Sequence, residues 1–220
     1  MGRRLGLGPN AQGLRKAGHE VYTPTMTGLG ERSHLMSPSI NLDTHITDIV
    51  NVIKQEELSE IVLVGHSYGG MVVTGVADAL SDKIRSLVYL DAFVPENGQS
   101  LLSLLPPGLP APVAASEYTL APLPAAFFGA SPEVAAFVDA RTTPQPTACF
   151  TQALKLTGGI DRIKKKTYIY ANVPAPTTFT PFYEKLKNRP DWTVHTLPCT
   201  HVVQIDLPNE LTALLLQAIA

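Results

Sequence analysis

Apolar residues along this chain alternate between short continuous runs and stretches in which they recur every three or four positions. The run at 61–64, Ile-Val-Leu-Val, is unbroken and largely β-branched, the pattern of a strand covered on both faces of a parallel sheet. Residues 84–90, 167–170 and 192–196 predict further buried strands. Between them the period changes. Ile46, Ile49, Val50 and Ile53 repeat at helical spacing, and Asp43 or Thr44 can cap that helix at its start. Helices are predicted over 71–80, near 179–187 and after Leu207. Strand alternating with helix implies right-handed βαβ crossovers and a largely parallel α/β sheet.

The ends of this pattern are less regular. Residues 20–23 predict a short strand broken by Pro24, and residues 14–17 the end of a helix stopped by Gly18. Residues 1–13 read as irregular or weakly helical. From Pro95 to Thr147 prolines multiply around short apolar clusters such as 101–105 and 125–128. An insertion of this length with apolar faces of its own predicts a cap over the carboxyl edge of the sheet.

With 220 residues, 45% of them hydrophobic, the chain suits one domain spanning 1–220 with a substantial core. Its 17 basic and 19 acidic side chains leave a formal charge of -2, which gives no footprint for nucleic acid or an anionic membrane. The two cysteines, Cys149 and Cys199, fit a reducing cytoplasm, and no metal-ligand spacing occurs. No signal-peptide core follows the basic start, and the apolar 211–220 stretch is too short for a membrane span.

The segment Val64-Gly65-His66-Ser67-Tyr68-Gly69-Gly70 contains Gly-x-Ser-x-Gly between a buried strand and an apolar helix. Such a turn is so sharp that the serine backbone is strained and its neighbours must lack bulk, room that Gly65 and Gly69 supply. At average residue usage, chance gives roughly 0.07 such matches in a chain of this length. Ser67 is therefore a candidate nucleophile. The Tyr68 backbone N–H, at the start of the following helix, is a candidate oxyanion donor. His66 reads as a polar residue packed beside the turn.

A serine hydroxyl needs a base, and His201 follows the last predicted strand just ahead of the final helix. His195, inside that strand, reads as a sheet-face residue. The acid is less obvious, because residues 168–177, after the penultimate strand, contain no carboxylate and Asn172 cannot offset an imidazolium charge. Asp91 ends the strand that follows the elbow helix and emerges at the same sheet edge as Ser67. An ionisable group closing such an apolar run needs a partner. Asp206 is the reserve candidate, with capping of the helix near Leu207 as its alternative role.

The segments GLGERSH, LDTHITDIVNVI, IVLVGHSYGGMVVTGVAD and LVYLDAFVPENGQSLL resemble bacterial α/β-hydrolases related to plant methylesterases, salicylate-binding esterases and hydroxynitrile lyases. The likeness runs from about Gly18 to Leu105, then more loosely to His201. It implies an α/β-hydrolase fold with helices on both faces and a small cap. It also implies an esterase-like activity without cofactor, in which Ser67 and His201 match the nucleophile and base. Plant relatives carry their acid after the penultimate strand, whereas another branch of the fold places it where Asp91 stands. Family members open with a hydrophobic strand and a His-Gly loop that donates half of the oxyanion hole, and residues 1–17 carry neither. That departure implies a missing or altered first strand, and losing one oxyanion donor costs about two to three decades in rate.

Together these features predict a serine hydrolase acting on a small apolar carboxylic ester, lactone or amide, with Phe93, Leu104, Phe127, Phe128 and Phe137 as apolar cap residues. A small-molecule ester is the expected partner, and a homodimer is compatible with the features above. A lyase reading is weakened by Val202, which stands where the plant enzymes place a lysine beside the histidine. The competing class is a catalytically impaired hydrolase-fold protein that binds a small molecule.

Overall fold

A segment with no polar face is stable only where both of its faces are covered, and each continuous apolar run accordingly becomes a strand. In the computed structural model, which describes residues 7–106, 109 and 112–219, β1 (Ile61–Ser67) and β2 (Ile84–Ala92) come first. Three short strands follow, β3 (Ala114–Ser116), β4 (Thr119–Leu120) and β5 (Gln145–Pro146), and then β6 (Lys165–Ala171) and β7 (Thr193–Leu197). β1, β2, β6 and β7 form an all-parallel sheet in the order β1-β2-β6-β7. The three short strands form a separate antiparallel sheet within the proline-rich segment.

The helices are α1 (Leu7–Lys16), α2 (Leu42–Gln55), α3 (Gly69–Ala79), α4 (Leu101–Leu104), α5 (Pro132–Asp139), α6 (Ala148–Thr151), α7 (Thr180–Leu186), α8 (Val203–Asp206) and α9 (Pro208–Ile219). The period of two along the strands divides the core. Leu87, Tyr89, Tyr168 and Tyr170 pack on the face covered by α2 and α3, while Val88, Leu90, Ile169 and Ala171 pack on the face covered by α8 and α9. Leu87, Val88, Tyr168 and Ile169 are wholly buried, and each such side chain contributes roughly 1.5–3 kcal/mol relative to exposure. Among the described residues no helix is long and apolar enough to cross a membrane.

Three expectations are corrected. Residues 20–23 form no strand, because a strand needs a ladder partner and none reaches them among the described residues; the Val21 carbonyl instead accepts a 2.7 Å bond from Arg15 Nη2. α2 begins two residues before the nearer candidate cap, Asp43, would allow, so Asn41 is its cap, with Asn41 and Thr44 bonded reciprocally. The amino-terminal stretch, read as irregular or weakly helical through residue 13, is a regular helix from Leu7. α1 is held to α9 by buried Asn10, whose Nδ2 donates to the Pro208 carbonyl at 2.6 Å and to Thr212 Oγ1 at 3.1 Å. Gly18 ends it at φ +90°, as its position suggested. The remainder of the 1–13 expectation, residues 1–6, lies outside the described residues.

β1 is an edge strand. Among the described residues no strand pairs with its outer side, and Val64 there is 38% exposed. A trough runs along it, walled by Leu14 and Leu215 on one side and by Ile49 and Ile53 on the other.

Candidate active site

β1 leads into α3 through Ser67, whose φ of +56° lies in the left-handed region that a side chain occupies only under constraint. The constraint comes from packing around two glycines. A Cβ on Gly65 would sit 2.5 Å from Val73 Cγ2, and one on Gly70 would sit 2.0 Å from the Phe93 carbonyl oxygen. A Cβ on Gly69 would meet nothing within 4 Å, so the second tight position is Gly70 rather than the Gly69 of the motif. Tyr68 stands immediately before α3, where the first N–H groups of a helix lack intrahelical partners. The strained serine thus faces outward beside the positive end of a helix.

Asp91 is delivered by a β-bulge. The β1–β2 register steps from His66↔Leu90 to Ser67↔Ala92, so Asp91 is the extra residue, and its φ is +40°. A bulge re-aims a side chain that regular pleating would direct elsewhere. Here the carboxylate is 1% exposed; Oδ1 accepts from the Ala171 N–H at 3.1 Å and Oδ2 lies 2.7 Å from His201 Nδ1.

His201 sits in the turn between β7 and α8. Asp206 Oδ2 braces this turn by accepting from Thr200 N–H at 2.9 Å and Thr200 Oγ1 at 2.6 Å. Asp206, the last residue of α8, thus bonds back to Thr200 rather than forward to the helix that starts at Pro208, which corrects its expected capping role. His66 Nε2 donates to the His201 carbonyl at 2.8 Å and ties the turn to β1. The His201 ring stacks on Phe179 with centroids 4.7 Å apart and an interplanar angle of 13°, and it also meets Phe128 and His66. His195 lies in β7, as its alternation indicated.

Burial in this aromatic surround disfavours charge on both members of the pair. It lowers His201 to about 3 and raises Asp91 to about 7. The two groups share one short hydrogen bond and titrate as a unit. The direction that matters is the resistance to a second ring proton: with its one proton on Nδ1 toward Asp91, the neutral imidazole presents a bare lone pair at Nε2. That nitrogen is buried and has no hydrogen-bond partner among the described residues, Ser67 Oγ included. Contacts of this kind are often long without substrate and tighten when it binds.

Two cavities, which share Phe127, Phe128 and Phe179 in their walls, reach these residues. One, about 720 Å³, reaches Ser67 and Tyr68 past Phe93, Leu101, Phe127 and Phe150, and continues into the trough along β1. The other, about 580 Å³, reaches Asp91 and His201 beside Phe128, Phe179 and Glu184. Phe93, Phe127 and Phe128 thus line cavities as the sequence suggested. Leu104 and Phe137 do not: Leu104 packs into the core, and Phe137 lies 40% exposed beneath the Arg141 guanidinium. Among the described residues no group of three or more His, Cys, Asp or Glu is placed to hold a metal, and Cys149 and Cys199 are both free and buried.

A buried polar cluster behind the elbow escaped the sequence reading. His45, on α2, contacts Tyr68 and Cys149. Its signal was available, since a histidine sits among Leu42, Ile46, Ile49 and Ile53 on the apolar stripe of that helix.

The geometry agrees with the comparisons. A family model described as Alpha/beta hydrolase family matches residues 4–214. A carbendazim hydrolyzing esterase from Nocardioides sp. (strain SG-4G) is 45% identical over 214 residues, covering 91% of this chain and 88% of that protein. An alpha-hydroxynitrile lyase from Arabidopsis thaliana is 31% identical over 84 residues, covering 38% of this chain and 33% of its own length. Among solved structures, an extracellular alpha/beta-hydrolase from a Paenibacillus species superposes with a TM-score of 0.80 at 24% identity, covering 99% of this chain and 94% of that one. By strand order, elbow geometry and sequence alike, this chain belongs to the alpha/beta hydrolase family.

Proposed function

We propose that the protein is a serine hydrolase of small, largely apolar carboxylic esters. In this reading Ser67 is the nucleophile, His201 the general base, Asp91 the acid that orients it and the Tyr68 N–H an oxyanion donor. The observation that carries it is the 2.7 Å bond from Asp91 to His201 Nδ1, which leaves Nε2 a buried acceptor without a partner at the edge where the strained Ser67 emerges.

The chemistry follows from that polarity. Ser67 Oγ attacks the ester carbonyl carbon as Nε2 takes its proton, and the carbonyl oxygen gains the electron pair beside the Tyr68 N–H. Collapse of the tetrahedral species expels the alcohol, which leaves with the proton from Nε2–H. Water then repeats the sequence on the acyl-serine, releasing the acid and restoring Ser67. Asp91 holds the imidazole in the tautomer with its lone pair outward and offsets the imidazolium charge that forms in each half. The cap residues Phe127 and Phe128, together with Phe93, favour an apolar acyl or alcohol group. The relationship to a carbendazim hydrolyzing esterase makes carbendazim the first substrate to try.

The open outer side of β1 favours a second reading, a small-molecule binder in which the hydrolytic site is disabled. Turnover of carbendazim and of short p-nitrophenyl esters separates the two. The hydrolase reading expects turnover that falls about a millionfold toward background in Ser67→Ala at unchanged fold. Saturable binding of the same esters with no turnover in wild type supports the binder.

A further inference from the structure

The motif GLGERSH stands at the partly exposed end of a chain of polar contacts that runs inward and finishes on the Tyr68 side chain. His45 of α2 is fully buried, with Nε2 2.9 Å from the Thr27 carbonyl oxygen. A carbonyl only accepts, so the proton is on Nε2 and Nδ1 presents a lone pair. The Tyr68 hydroxyl, 2.9 Å away, donates to it. The Cys149 thiol closes the cluster, 3.6 Å from Nδ1 and bonded to the Tyr68 hydroxyl.

Thr27 is held in turn. Its N–H and hydroxyl donate to the Asp48 carboxylate at 2.6 and 2.8 Å. Arg32, from the GLGERSH motif, approaches the same carboxylate at 3.8 Å and donates to the Thr25 carbonyl at 2.9 Å. Gly30 N–H donates to Thr143 Oγ1 at 3.0 Å, which ties the motif to the insertion. The histidine arm of the cluster is therefore itself held, from Arg32 and Asp48 through Thr27 to His45.

We infer that His45 is a positioning residue, which pins the tip of the Tyr68 side chain and through it the Tyr68 backbone N–H beside Ser67. The inference rests on the proposed role of that N–H as oxyanion donor. Only two side-chain torsions separate the phenol from its own peptide, and the ring is further confined by a near-parallel stack on Phe150 at 6.5 Å and 12°. With the hydroxyl anchored, the N–H cannot swing away from the developing oxyanion. A misplacement of about 1 Å in such a group costs up to roughly a hundredfold in rate. Because the substrate's ground state draws little on this donor, the loss falls on kcat rather than KM.

The test compares wild type, His45→Leu, His45→Asn and Tyr68→Phe, with active sites counted by the burst of p-nitrophenol from p-nitrophenyl acetate and stability followed by thermal melting. His45→Asn keeps an acceptor near the place of Nδ1, and Tyr68→Phe removes only the hydroxyl, so it probes the latch if His45→Leu does not fold. The expected result is a tenfold to hundredfold fall in kcat per titrated site for His45→Leu, a similar or smaller fall for Tyr68→Phe, KM within about twofold, and substantial recovery in His45→Asn. Unchanged kcat per titrated site in Tyr68→Phe, with a lowered melting temperature alone, would show the cluster to be packing and overturn the inference. A wild type that shows no titratable site overturns the hydrolase reading itself, and the latch with it.

Discussion

Two borders of the same sheet are built in contrasting ways. At its carboxyl edge, Ser67 and Asp91 hold positive φ, a bulge aims the carboxylate, and two aspartates and a histidine brace the turn that carries His201. Along its flank, β1 presents an unpaired side to an apolar trough, and Val64 is 38% exposed where Val88, in the next strand, is wholly buried. Strain at the first border is over-determined by packing and hydrogen bonds, whereas the second has been left loose. The site's geometry thus depends on β2, β7 and α3 more than on what lies outside β1.

That contrast can be broken by substitution. The largest effect is expected from Asp91→Asn, which should lower kcat/KM by about 10⁴-fold at unchanged fold, read by steady-state kinetics and circular dichroism. The same variant should move the acid limb of the pH–rate profile. Protonating the Asp91–His201 unit removes the Nε2 lone pair, so activity falls as pH falls through the apparent pKa of the pair. Without the carboxylate the imidazolium loses its counter-ion, its pKa drops further, and the limb shifts to lower pH. Next comes Gly70→Ala: the new Cβ meets the Phe93 carbonyl oxygen at 2.0 Å and should cost about 3 kcal/mol in chemical denaturation, with activity lost in proportion to unfolding.

The smallest effects lie on the flank, and there the comparison sharpens. Val88→Ala should cost about 2 kcal/mol from lost burial and a residual cavity, whereas Val64→Ala in the trough should cost under about 0.5 kcal/mol. Equal costs for the two valines, measured by urea denaturation, would mean that the flank of β1 is covered in solution.

Much of this was legible in the sequence, for a physical reason. Continuous apolar runs and helical periodicity report burial directly, so β1, β2, β6, β7, α3 and α7 emerge within about three residues of the predicted positions. Ser67 was legible because the elbow's steric demand is local. The closeness of Asp91 to His201 was foreshadowed by its place at the end of β2 and by the lack of a carboxylate after β6. What was not legible depends on pairs of distant elements. The bulge that aims Asp91 is a relation between two strands, and the need for Gly70 comes from the Phe93 carbonyl. Residues 20–23 have strand-like composition, yet only a neighbouring ladder could have made them a strand. His45 looked like one polar interruption on an apolar stripe until Tyr68 and Thr27 supplied its partners.

The central claim, that the strained serine and the Asp91-oriented imidazole form one reactive unit, is tested most directly by a fluorophosphonate probe with the adduct located by peptide mass spectrometry. The account predicts a single adduct on Ser67 at near-stoichiometric yield, lost in His201→Ala while the protein remains folded. Folded wild type that stays unlabelled, or whose adduct lies elsewhere or survives loss of His201, would contradict it.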